Sequence, residues 1–255
     1  MTGTGAVVRN ELRLLRHDPV PAVLLLAMPM VLMALLAPAL RLALVAEGYP
    51  NASGGDQAVP GMVCVFSFFA VALVGFGLFR EHGWRTWVRL RAAGIPSGQL
   101  LAGKLAVPAG LLVLQHLLLF DYGLLFLGMR PTGSRLAMAA VSAAFGAAVL
   151  ALALAAAAAL ATIQQVNAVT NLGAMVLGGI GGGFVPVSVL PGWVQPIAPI
   201  SPTYWAMKGY RTAILDGGAL GDVTRPIVVL ALIAVGFGIF ALTRLRLDDP
   251  KRTWG

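Results

Sequence analysis

Long apolar runs alternate with short polar intervals along the chain, and six of the runs fall in one length class. They lie at about residues 19–40, 60–79, 105–128, 136–162, 167–187 and 226–243. About twenty apolar residues carry an α-helix across a hydrocarbon core, so each run predicts a spanning helix. A different pattern precedes the first run. Over residues 6–17, Val8, Leu12 and Leu15 share one face of a helical wheel, and Arg9, Arg13 and Arg16 form a neighbouring stripe. This predicts an amphipathic helix within residues 1–18, lying in the membrane interface with its basic side toward headgroups. A signal-peptide start is the other reading, since Ala37-Pro38-Ala39 has the form of a cleavage site. The long patterned arm and the spanning length of the first run speak against it.

Two polar intervals break this rhythm. Residues 80–104 form the one long basic stretch, and it must project from the membrane because Arg costs roughly 3 kcal/mol at a helix centre. Within it Trp84, Trp87 and Leu90 recur at three-residue spacing beside Arg85 and Arg89, predicting a short helix with an apolar and a basic stripe. Glu81 is a charge near the end of the second span, next to Arg80. Such a helix either rests on anionic headgroups or docks a partner. The other interval, residues 186–205, holds five prolines yet keeps Val187, Val189, Leu190, Ile197 and Ile200. Proline forbids a continuous helix, and the apolar residues disfavour a free loop. Short helices dipping back into the membrane are expected, with Trp193, Tyr204 and Trp205 in an interfacial belt. Asp216-Gly217-Gly218 reads as a turn before the last span. In the fourth span Ser142 and Gly146, and in the second Gly75 and Gly77, read as faces for close helix packing.

Charge sets the orientation. Twelve Lys and Arg residues fall with the two termini and the 80–104 interval, and six fall on the other side. The excess places both termini in the cytosol, which six spans allow. Composition agrees with a lipid environment. The chain has 255 residues, 58% hydrophobic and 11% charged, against about 25% charged in soluble domains. The net charge of +8 follows from residues at span ends, so headgroups rather than nucleic acid answer it. The one cysteine, Cys64, lies in an apolar run and offers neither an intrachain disulfide nor a Cys-based metal site.

Little in the chain speaks of its own chemistry. Gly98 to Lys104 has the glycine and lysine spacing of a phosphate-binding loop, but Leu105 stands where Ser or Thr must bind magnesium. The glycines at 178–183 end a span rather than open a helix after a strand, so they are no dinucleotide fingerprint. No metalloprotease or hydrolase constellation is present, and Asn51-Ala52-Ser53 is only a formal glycosylation sequon. Asp121 and His116 are ionisable groups inside the third span, where such groups are functional, are paired across helices or, for Asp121, are held protonated by desolvation. Five residues apart, they do not pair along the helix, whereas Gln115 and Tyr122 share a face.

Taken in order, these features resemble the permease subunits of ABC-2 type exporters, and most closely the daunorubicin/doxorubicin-resistance-like multidrug permeases. The likeness rests on the helix from Val7 to His17, on Arg80-Glu81 with Gly83, Thr86, Leu90, Pro96 and Lys104, and on Gly183-Phe184-Val185-Pro186 followed by Leu190-Pro191, Ile197, Pro199 and Pro202 and then Tyr210-Arg211. Trp84-Arg85 between Gly83 and Thr86 departs from the family pattern, where Gly and Thr adjoin.

The resemblance implies a single all-α membrane domain over 1–255. It would have six spans, an N-terminal amphipathic helix, a cytosolic coupling segment at 80–104 and a re-entrant outer segment at 186–205. It implies a non-enzymatic transport subunit of the cell membrane that pairs with a second permease copy or paralogue. Two cytosolic ATPase chains, binding ATP and magnesium themselves, would dock under Arg9, Arg13, Arg16, Arg80, Glu81, Trp84, Arg85, Trp87, Arg89 and Leu90. Phe184, Pro186 and Pro191 would form an outer gate. The expected cargo is an amphipathic drug, antibiotic or lipid, with polysaccharide less favoured. A proton-driven secondary transporter using Asp121 and His116 is the alternative, although inverted repeats and midplane breaks, typical of such folds, are not seen.

Overall fold

A computed structural model describes residues 3–83, 94 and 96–244. Three of its helices begin at side-chain caps. Ser134 accepts a hydrogen bond from the Ala137 amide, and Thr162 and Gln165 form a reciprocal capping box. Ser201 accepts from the Thr203 amide, with Pro202 in the first helical turn. Each such cap satisfies backbone donors that the first turn leaves open.

The helices are α1 (Gly3–His17), α2 (Val20–Ala46), α3 (Gly55–Ser67), α4 (Phe69–Gly83), α5 (Ser97–Phe126), α6 (Arg135–Ala159), α7 (Ile163–Ile180), α8 (Pro202–Ile214) and α9 (Thr224–Arg244). Single 3-10 turns occur at Val187–Val189, Ala198–Ile200 and Leu220–Val223. The fold is all-α, with no strand among the described residues.

α3 and α4 form the middle of the bundle. Together they make one apolar segment, Gly55–Arg80, of whose most apolar window 78% is buried, against 17% for Leu220–Arg244. The segment tolerates this because its glycines admit neighbours at backbone distance. A Cβ on Gly61 would lie 2.0 Å from the Gly183 carbonyl oxygen, and one on Gly75 would lie 2.5 Å from Val166 Cγ1. The surrounding helices bury one side and present apolar residues outward, such as Leu35 and Leu42 on α2 and Leu232 and Leu242 on α9. Patches of that extent are unsuited to water. With the long apolar helices they define a multi-pass membrane protein.

Among the described residues five segments are long and apolar enough to cross: Ala22–Ala46, Gly55–Arg80, Gly98–Phe126, Arg135–Ala159 and Leu220–Arg244. The predicted span at 167–187 corresponds to α7, which has 18 residues and opens on Gln164, Gln165 and Asn167. Its length gives about 27 Å, slightly under a typical hydrocarbon core of roughly 30 Å.

Other expectations shift in detail. The second span begins at Gly55 rather than Pro60, and its helix is interrupted at Phe68. In α1 the one fully buried residue is Val7, while Leu12, assigned to the apolar stripe, is 45% exposed. The protein-facing stripe is turned by one position because Val7 fits against Gly103 of α5, where a Cβ would lie 2.7 Å from Val7 Cβ. Gly75 packs tightly as expected, but nothing lies within 4 Å of a Cβ built on Gly146. In the 186–205 interval the structure has two single 3-10 turns, and its longer helix, α8, starts at Pro202 and runs on to Ile214.

Candidate functional site

At the α1 end of the bundle three elements meet on one carboxylate. Val7, seated on Gly103, fixes the helix face that carries Glu11 one turn later. The Glu11 side chain then reaches Lys104 Nζ of α5 at 2.5 Å and Arg80 Nη2 of α4 at 3.1 Å. Gly77 leaves the room, since a Cβ there would touch both Lys104 and Glu11 at about 4 Å. The Lys104 side chain is 2% exposed and that of Glu11 12%. Charges so far from water require each other, because an unpaired buried ion is costly. Glu11 therefore ties the first helix to both ends of the 80–104 interval.

Of the residues expected to couple to a motor, Arg80 is thus in an ion pair, and Arg9, Arg13 and Arg16 are exposed on α1. Trp84, Arg85, Trp87, Arg89 and Leu90 lie outside the described residues, as does the side chain of Glu81, whose backbone belongs to the last turn of α4. Glu11 itself was missed. Its signal was a lone acid among Arg9, Arg13 and Arg16, at helical spacing from Val7 and Leu14.

A second polar cluster occupies the opposite end. Glu47, just past α2, pairs with Arg211 Nη2 of α8 at 2.5 Å and accepts a hydrogen bond from the Ser188 hydroxyl. Tyr49 donates its hydroxyl to Asp216 Oδ1 at 2.8 Å, with the Arg211 guanidinium over its ring. That hydrogen bond, together with partial burial, raises the phenol above its ordinary pKa, although Arg211 opposes the shift. Gln57 donates to the Gly182 carbonyl at 2.9 Å, and Gly182 holds φ of +88°, which a side chain would resist.

These groups line a cavity of about 510 Å³. Of the three residues assigned to a gate, Pro186 lines this cavity, whereas Pro191 is exposed and Phe184 is half-buried beside Gly179. Trp205 donates to the Pro199 carbonyl at 2.9 Å and carries Lys208 and Arg225 over its ring, a pairing suited to a membrane surface. The Asp216-Gly217-Gly218 turn forms as expected, with Gly217 at φ +72°. It is laced to the preceding loop by the Thr132 and Ser134 amides, which bond Ile214 and Gly218 carbonyls.

Between the two ends lie the ionisable groups of α5. His116 is buried, with Nε2 2.9 Å from Ser67 Oγ of α3. Asp121 is exposed, and both residues line a cleft of about 630 Å³ between α5 and α6. The α5 helix thus brings them to one cleft without bringing them into contact. Gln115 is buried and faces the Leu25 carbonyl of α2, and Tyr122, two turns on, is half-buried. No group of three or more His, Cys, Asp or Glu side chains that could hold a metal gathers among the described residues.

Long apolar helices, with a basic first helix clamped to α4 and α5, form the frame around these groups. Residues 3–215 match the family model of the ABC-2 type transporter, and the chain belongs to that family. It is accordingly an ABC transporter permease, and permeases of this family generally work with an ABC ATPase subunit. No curated protein matches the chain.

Proposed function

We propose that the chain is the transmembrane subunit of an ATP-driven exporter that moves an amphipathic drug, antibiotic or lipid outward across the cytoplasmic membrane. Two copies of a cytosolic ATPase supply the energy, binding ATP and magnesium, and a second permease copy completes the pathway. The α1 end faces the cytosol, in keeping with the excess of Lys and Arg there. The observation that carries this reading is the Glu11 clamp. It fastens the amphipathic helix to Arg80 and Lys104, so force applied to the 80–104 interval would reach α1, α4 and α5 together.

The daunorubicin/doxorubicin-resistance-like branch is the part of the family that this cargo class favours. The proton-driven alternative finds support in His116 and Asp121 lining one cleft, but among the described residues His116 is bonded to Ser67 and not toward Asp121. The reading is tested with purified chain in proteoliposomes. Alone it should neither bind nor hydrolyse ATP, and with its partner ATPase it should move cargo only when ATP is present. ATP turnover by the chain alone, or transport driven by a pH gradient without ATP, would overturn it.

A further inference from the structure

The cleft between α5 and α6 has the chemistry of a ligand site. Its volume, about 630 Å³, is in the range of small-molecule pockets, and such pockets are mostly apolar with a few placed polar groups. One wall comes from α5, where Val113 and Leu117 are exposed on the flank of a long apolar helix. The facing wall is built of Ala139, Ala143 and Gly146 of α6, small enough to leave the space open. Nothing lies within 4 Å of a Cβ placed on Gly146, so these residues are not filled by a neighbour in the same chain.

Asp121 is the group that this apolar cleft does not explain. It lies five residues before the end of α5 at Phe126, about 7.5 Å along the helix. A short carboxylate cannot reach back to the surface as a long Arg or Lys side chain can. Arg135, at the start of α6, also lines the cleft, but the two side chains form no ion pair. Asp121 makes no hydrogen bond or ion pair among the described residues. A carboxylate exposed along an apolar wall calls for a positive partner.

We propose that the α5–α6 cleft binds an amphipathic cation, with Asp121 as its counter-ion and the apolar body lying along Leu112, Val113 and Leu117. Phe120, which lines the same cleft, adds a ring face to the cation site. Binding of this kind needs no nucleotide and no direction of transport. It takes from the proposed function only that the chain handles amphiphiles.

The test uses the full chain in nanodiscs of zwitterionic lipid, with radiolabelled tetraphenylphosphonium as probe and tetraphenylborate as a competitor of like shape and opposite charge. Saturable tetraphenylphosphonium binding is expected, without competition by tetraphenylborate. Asp121→Asn should weaken it at least tenfold, and Asp121→Glu should stay within a few-fold of wild type. Ala143→Trp, which keeps the carboxylate but fills the cleft, should abolish binding while leaving the elution profile and unfolding temperature unchanged.

Absence of saturable binding, equal competition by tetraphenylborate, or unaltered binding in Asp121→Asn or Ala143→Trp would overturn the proposal. So would a disulfide between two copies carrying Ala143→Cys, made with Cys64→Ala, because the cleft would then be covered by a second chain. Loss of ATP-dependent export with probe binding intact would count against the proposed function alone.

Discussion

Glu11 shows how one residue can hold an arrangement that no single segment announces. Lys104 is almost wholly buried, and its ammonium is answered by the Glu11 carboxylate on a helix 93 positions earlier. Removing one partner of a buried pair costs on the order of 3 kcal/mol, since the other is left uncompensated, whereas replacing both by apolar residues is often neutral. Glu11→Met should therefore lower the unfolding temperature in detergent clearly, and Glu11→Met with Lys104→Met should recover most of the loss. Additive losses in the double variant would show that the pair contributes nothing jointly.

Glycine supplies a second contrast at this scale. Gly61→Ala drives a Cβ toward the backbone of Gly183, so overpacking should cost about 1–3 kcal/mol or more. Gly146→Ala meets nothing and should be silent in the same thermal assay. Both are glycines in apolar runs, and the sequence does not distinguish them, because the neighbour that matters lies more than a hundred residues away.

Whole elements were more legible than their contacts. Run length marked the long helices, since spanning demands a continuous apolar stretch whatever its neighbours. The capped starts at Ser134, Thr162 and Ser201 follow from local backbone chemistry. The facing of α1 was not legible, because its wheel has apolar residues on two adjacent stripes and only Gly103 selects Val7. The network of Glu47, Tyr49, Arg211 and Asp216 was missed because its members come from two short segments far apart in the chain, Tyr49 and Asp216 being 167 positions apart.

For the 80–104 interval the sequence still separates two roles. Headgroup attraction depends on the arginines, whereas a partner groove depends on the apolar stripe. Trp87→Ala with Leu90→Ala, every arginine retained, should leave the chain inserted but uncouple ATP hydrolysis from transport. Normal coupling and normal co-purification of the ATPase would assign the interval to lipid anchoring.

At the scale of the molecule, the position of α7 determines the parity of the topology. Five crossings would put the termini on opposite sides of the membrane, and six would put them on the same side. Apolarity alone leaves α7 out, because of Gln164, Gln165 and Asn167. Its neighbours argue for its inclusion. Val166 packs on Gly75, Gly178 packs on Val65, and the following Gly182 accepts a hydrogen bond from Gln57. The contacts step backward along Gly55–Arg80 as α7 steps forward, so α7 runs antiparallel to a spanning segment over most of its length. Polar residues near its start would sit close to the membrane surface, where they cost little.

The expected topology is therefore six crossings with both ends inside. Single cysteines in a Cys64→Ala background, probed with a membrane-impermeant maleimide on intact cells, test it. Ala219→Cys, before α9, should be labelled from outside. Ala161→Cys, before α7, should be labelled only after the membrane is opened, and so should a cysteine at the C-terminus. Labelling of residues 161 and 219 from the same side would mean that α7 does not cross, and that the polar residues at its start outweigh its packing against α3 and α4.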